Sequence, residues 1–221
     1  MAAHVDDPAR TPRSLTSHLL APVRPGAVEL FPRTDRTGET ISSAALRMQQ
    51  DGRVVATALA TFGKPRQSAA YLGLAMPDVP PPAECRPLID KPVADARAGL
   101  LVEHRPAAPP LPLSGGERAE IVVWMRLIED RPVDAFSATM LADAAPPALY
   151  GWLTEPVAMP SMEIAIQFAT LEVAGADMWL LGRFRTSYAA SGYAVEDGEL
   201  WAESGELLLQ SRQLRRMLQR G

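Results

Sequence analysis

The chain has 221 residues, with 22 Lys and Arg against 26 Asp and Glu, one Cys and 21 Pro. Its length allows one large domain or two small ones, and 47% apolar with 22% charged residues excludes wholesale disorder. A net charge of -4 excludes a general nucleic-acid binder, and the single Cys85 excludes an internal disulfide and a four-cysteine zinc site.

Met1 to Asp7 carry acids where a signal peptide needs a basic segment and then an apolar one, which predicts a cytoplasmic chain. No apolar run reaches the roughly 20 residues that span a bilayer, so no membrane partner is expected. Strand composition begins at Ser14–Leu20, before Pro22, and resumes at Ala27–Asp35 after the Pro25-Gly26 turn. Glu39–Gln49 and Arg53–Phe62 follow, joined by Gln50-Asp51-Gly52; Asp-Gly between two such runs is a strong hairpin signal. In the last run Val54, Ala56, Ala58, Ala60 and Phe62 alternate with Val55, Thr57, Leu59 and Thr61. With few polar residues on either face, both are expected to be covered. Only a helical stub at Met1–Val5 is predicted in this half.

Ten of the 21 prolines fall between Pro77 and Pro112. Proline lacks the ladder N–H and blocks helix interiors, which predicts an extended linker over 64–97 and a loop over 106–118. Gly99–Arg105 reads as a short strand between them. The chain thus divides into a partial N-terminal unit over 1–63, the linker over 64–97, and a C-terminal unit over 98–221. Ser114-Gly115-Gly116 lacks the spacing and the Lys-Ser/Thr of a phosphate loop and reads as a turn.

Past the linker, Ala119–Ile128 reads as a strand and Val133–Trp152 as the one substantial helix, with Asp130 or Asp134 available as its cap. Pro146-Pro147 must break or kink that helix. Strands are predicted at Ser161–Thr170, Met178–Tyr188, Gly192–Ala202 and Glu206–Leu218. A long antiparallel sheet covered by one helix is an α+β arrangement. Gln50-Asp-Gly-Arg-Val-Val-Ala-Thr-Ala58 and Glu203-Ser-Gly-Glu-Leu-Leu-Leu-Gln-Ser211 share a layout, a polar turn ending in Gly and then a closing strand. Identity between them is weak, and an internal duplication and a chance likeness both stay open.

Two polar residues stand out. On the helix Asp143 shares a face with Phe136, Thr139 and Met140, which places a carboxylate on the side expected to bury apolar groups. A carboxylate buried there must be paired, protonated or functional; the alternative is a local cap turned outward at the proline kink. Gln213 shares strand parity with Leu207, Leu209 and Ser211 and points to the apolar face, unless a bulge or the strand end frees it to solvent. Ser161, after Pro160 at a strand start, reads by itself as an ordinary edge residue.

Three stretches resemble the double-hotdog acyl-CoA thioesterases, the bacterial acyl-CoA thioesterase II group and its relatives. They are Ser14–Gly26 with Thr34–Glu39 and Met48–Ala56; Val123–Arg126 leading to Leu141–Asp143; and Trp179–Leu181 with Ala190–Gly192, Gly198–Trp201 and Ser204–Gln213. The resemblance implies two hotdog units, each an antiparallel sheet wrapped on a central helix, the first apparently lacking that helix. It implies hydrolysis of acyl-CoA by water, with no metal or other cofactor beyond the coenzyme A of the substrate. Its catalytic Asp, Ser or Thr, and Gln fall on Asp143, Ser161 and Gln213. The first-unit position matching Gln213 is Ala60, so that unit is expected to be inactive. Phe136, Met140 and Trp152 are candidates for the acyl channel, and Arg183 and Arg185, on one strand face, for the CoA phosphates; the alternative for the arginines is plain solvation. A homo-oligomer is expected.

Other chemistries find little support. There is no G-x-S-x-G elbow, Cys85 lies among prolines, and His4, His18 and His104 lack zinc-ligand spacing. His104 could still line a site in the second unit. A non-catalytic acyl-CoA binding protein is the alternative to an esterase. Family members carry a strand and helix ahead of the segment starting at Ser14, so Met1–Arg10 reads as the tail of that helix and a longer natural chain is expected. Otherwise the first sheet would expose an apolar face and depend on a partner.

Overall fold

A computed structural model describes residues 1–89, 101–129, 133–170 and 179–218. A four-residue helix, α1 (Ala2–Val5), leads into strands β1 (Thr11–Leu19), β2 (Glu29–Thr37), β3 (Ile41–Gln50) and β4 (Arg53–Gly63). Strands β5 (Val102–Ala108) and β6 (Glu120–Leu127) precede helix α2 (Ala135–Ala144) and a 3-10 turn at Ala148–Gly151. Strands β7 (Ser161–Phe168), β8 (Leu180–Ala190), β9 (Tyr193–Ala202) and β10 (Leu207–Arg216) complete the chain. Every predicted strand is present within a few residues of its expected bounds; Gly99, Leu100, Asp130 and Met178 lie outside the described residues.

The strands form one sheet in the order β2-β3-β4-β1-β7-β10-β9-β8-β6-β5, with antiparallel neighbours throughout. The sheets of the two units are continuous, joined where β1 pairs with β7 from Ser14–Gln167 to His18–Glu163. The order β2-β3-β4-β1 recurs as β8-β9-β10-β7, and so do the irregularities. Val55 is the extra residue between the Gln49–Val54 and Met48–Ala56 pairs, and Leu208 is the extra residue between Leu207–Trp201 and Leu209–Leu200. Both bulges fall three residues after the turn glycines Gly52 and Gly205. These glycines adopt φ of 74° and 95°, a region that residues with a Cβ rarely enter. Shared strand order and shared bulges establish the internal repeat that the sequence left open, since bulges are local backbone features tied to register.

One face of the second unit wraps on α2. Ala138, Leu141 and Ala142 of the helix meet Ile121, Val123 and Met125 of β6, Ile164 and Ile166 of β7, and Leu200, Leu208 and Leu209. Asp134 caps the helix, accepting from the Phe136 and Ser137 backbone N–H groups, and Ser137 answers in a capping box. At the other end the helix stops ten residues after it starts, shorter than the expected Val133–Trp152, because Pro146-Pro147 cannot continue it. Two of its last carbonyls are taken by side chains of the sheet: Gln213 Nε2 donates to Ala142 O at 3.0 Å, and His104 Nε2 lies 2.9 Å from Ala144 O. Helix ends leave such carbonyls without an intrahelical partner.

Of the linker expected over 64–97, residues 90–97 lie outside the described residues; residues 64–89 carry no strand and pack on the opposite face, where Met76, Val79 and Cys85 cover Val122, Trp124 and Leu181. Trp124 Nε1 donates to Pro80 O and Arg105 Nη1 to Pro82 O. The expected loop over 106–118 starts later than predicted: Pro106 lies within β5, which is an edge strand and tolerates it. The expectation that both faces of β4 are covered is also corrected. Ala60 and Phe62 pack with Ala44, Met1 and Val5, but Leu59 on the other face is 61% exposed. The bulge moves Leu207 off the α2 face to stand opposite Trp201.

Two measurements check this packing. Gly198 lies under the Phe184 ring, and a Cβ there would sit 2.7 Å from it and 2.6 Å from Ser211 Oγ. Gly198→Ala is expected to cost about 1–3 kcal/mol in chemical denaturation. Burial holds His104 below the ordinary imidazole value of 6.5, so the folded state resists a proton that the unfolded chain takes up. Its stabilisation is therefore complete above that value and lost as the pH falls below it. Melting temperature should drop less between pH 8 and pH 5 in His104→Gln, which keeps a donor for Ala144 O.

Candidate active site

Asp143, Ser161 and Gln213 come together although they lie on α2, β7 and β10. Ser161 Oγ is 2.8 Å from Asp143 Oδ1 and 2.8 Å from Gln213 Oε1. The sequence reading of Gln213 holds: its side chain is 1% exposed and points to the helix face, opposite Ile164 on β7 and Glu196 on β9. Its amide orientation follows from its bonds. The nitrogen must donate to Ala142 O, so the oxygen faces Ser161. The same bond draws the last turn of α2 to the sheet and brings Asp143, the next residue, over Ser161.

Asp143 does not lie on the buried face of the helix, contrary to what its sequence position predicts. The helix face it shares with Phe136, Thr139 and Met140 is the open one, and Asp143 is exposed. The buried face carries Ser137, Ala138, Leu141 and Ala142. Asp143 is thus not a carboxylate stranded in the core but one at the lip of a cleft, held by a hydroxyl.

That cleft, of about 420 Å³, runs along the seam between the two units. Leu15 and Leu19 of β1, Ile164 of β7, and Leu101, Val102 and Met140 supply its apolar walls, with Asp143 at its edge. A wider trough of about 660 Å³ lies on the other face of the first unit between Phe31, Arg47 and Leu59. It shares no residue with the Asp143 cluster.

Of the expected acyl-channel residues, Met140 lines the cleft while Phe136 and Trp152 do not; they are 72% and 57% exposed. Arg183 and Arg185 are held by a carboxylate of the sheet. They do share a strand face, but it is the one turned away from α2, and both pair with buried Glu199 at 3.0 and 2.6 Å. Cys85 sits in the linker, where burial pushes its thiol up and away from the reactive thiolate. His104 serves the helix end and His18 faces Glu163 at 3.9 Å on the opposite side of β1.

Two residues escaped the sequence reading. Arg215 donates to Ser161 Oγ at 3.2 Å and to Glu196 Oε1 through Nε and Nη2, at 3.0 and 2.8 Å. Both are almost fully buried, and the second Glu196 oxygen accepts the Ala148 backbone N–H. Arg215 carries the parity of Gln213, a signal that was available; its partner on β9 depends on register.

In sequence, residues 1–63 match the acyl-CoA thioesterase N-terminal domain and residues 65–217 match the acyl-CoA thioesterase C-terminal domain. In structure, the chain is similar to a hot dog fold protein of unknown function from Alicyclobacillus acidocaldarius. The TM-score is 0.87 at 29% identity, covering 100% of this chain and 84% of that one. It shares its fold with acyl-CoA thioesterase II TesB2 of Mycobacterium marinum, with a TM-score of 0.77, 21% identity, and 100% and 85% of the two chains covered. A tesB protein of Mycobacterium avium subs paratuberculosis gives 0.75 at 19% identity, over 99% and 83%. No curated protein matches the chain. The chain belongs to the acyl-CoA thioesterase family and has its double-hotdog fold.

Proposed function

We propose that the protein hydrolyses acyl-CoA thioesters to a free acid and CoA, with Asp143, Ser161 and Gln213 as the catalytic set. The observation that carries this reading is the Ser161 hydroxyl lying 2.8 Å from two acceptors, one of which, Asp143, lines an apolar cleft. A hydroxyl has one proton and can satisfy only one of them. When it donates to Gln213, an Asp143 oxygen is available to a water proton; when it donates to Asp143, Gln213 Oε1 can hold the water instead. Either way the three groups define a place for one water beside the cleft.

The acyl chain occupies the cleft against Leu15, Leu19 and Met140, and its thioester carbonyl lies at the Asp143 end. Asp143 takes a proton as the water oxygen adds to the carbonyl carbon. The tetrahedral intermediate then collapses, the C–S bond breaks, and the departing thiolate recovers the proton from Asp143. Gln213 cannot swing away from the water, because its amide nitrogen is tied to Ala142 O. Ser in place of Thr keeps the hydroxyl. The matching first-unit positions, Pro12 for Ser161 and Ala60 for Gln213 by strand register, offer no polar group, which supports a single site per chain.

Thiol release from a panel of acyl-CoAs tests the proposal. Asp143→Ala is expected to lower kcat by about 100-fold or more, Gln213→Ala by about tenfold or more, and Ser161→Thr by less than either. Substrate binding without release by the wild type would sink the enzyme reading in favour of acyl-CoA binding. Release indifferent to both alanine variants would sink the site.

A further inference from the structure

We propose that Arg215, held by Glu196, is the positioning residue that makes the Ser161 hydroxyl a donor toward Asp143 and Gln213; this inference rests on the thioesterase reading above. A guanidinium only donates and stays charged. Facing Arg215 Nη1 at 3.2 Å, Ser161 Oγ must accept there, and its own proton is directed to the far side, where Asp143 Oδ1 and Gln213 Oε1 stand. Without the guanidinium the hydroxyl is free to turn its proton elsewhere. The positive charge also polarises the hydroxyl and strengthens the bond it donates.

The ion pair fixes the guanidinium itself. Glu196 Oε1 takes two of its N–H groups, and Met159 O takes another at 3.3 Å. Burying two charges is costly, and such a pair is often replaceable by apolar residues without loss of stability. The first unit shows that the fold does not need this one. By strand register Ala44, Ala60, Phe62 and Pro12 occupy the places of Glu196, Gln213, Arg215 and Ser161. Ala44, Ala60 and Phe62 pack there as an apolar cluster. The pair is present only in the unit where there is a Ser161 to orient.

The test uses Arg215→Lys and the neutral double variant Arg215→Met/Glu196→Gln. The double variant leaves no unpaired buried charge and keeps an acceptor for the Ala148 N–H. Its kcat for acyl-CoA hydrolysis should fall about tenfold or more with KM within about twofold, and Arg215→Lys should recover part of the loss. In a Ser161→Ala background the same changes should cost less than about twofold, since no hydroxyl remains to be held. An equal loss in that background would overturn the proposal, because a merely structural role does not depend on the Ser161 hydroxyl. Neutron crystal structures read the same point without turnover. In the double variant, or in Arg215→Leu/Glu196→Gln should that variant not fold, the Ser161 hydroxyl proton is expected to point away from both Asp143 and Gln213. A proton still donated to either of them overturns the proposal. A wild type that releases no thiol refutes the thioesterase reading, and the crystal structures still decide the role of Arg215.

Discussion

The bond from the Gln213 amide to the Ala142 carbonyl is the constraint on which the rest of the site depends. A helix that ends at a proline pair leaves carbonyls without partners, and here the sheet beneath it supplies the donors. That one contact satisfies a helix end, fixes which way the Gln213 amide points, and draws Asp143 over Ser161. The helix cap and the geometry of the proposed catalytic set are the same interaction seen from its two ends. The second donor, His104, holds the following part of the turn and works as a neutral group because it is buried.

The internal repeat gives the site its physical contrast. Two units share a strand order and bulges at matching positions, yet at one place they diverge completely. The first is packed with Ala44, Ala60 and Phe62; the second holds an arginine, a glutamate, a glutamine and a serine. An inward-facing polar group on a sheet is costly unless every partner is in place. The second unit meets that cost with a connected network, and the cleft that the network faces takes its walls from both units, with Leu15 and Leu19 from one and Ile164 and Met140 from the other. The apolar unit thus contributes surface to the cleft and the polar unit the proposed catalytic groups.

Much of this was legible in the sequence. Alternation and turn glycines placed the strands, the proline pair announced a break in a helix expected to reach Trp152, and strand parity sent Gln213 inward. What sequence could not supply was tertiary. The helix face with Asp143 looked like the buried one because Phe136 and Met140 are on it, but which face a helix buries is decided by the sheet it meets, and the smaller Ala138 and Ala142 fit closer. Parity correctly put Arg183 and Arg185 on one face without saying that Glu199 waits there. One extra residue at Leu208 inverted the orientation of Leu207, since a shift of one turns a strand residue to the other side. The link between Glu196 and Arg215 needs the register of two strands, which no local pattern carries.

In the proposed mechanism Asp143, Ser161 and Gln213 act as one unit through a shared proton. Turnover of the Asp143→Ala/Gln213→Ala double variant, set beside the two single variants, tests it most directly. The double variant is expected to be no slower than the worse single variant, to within about twofold. Losses that multiply would mean two residues acting independently, and would contradict it.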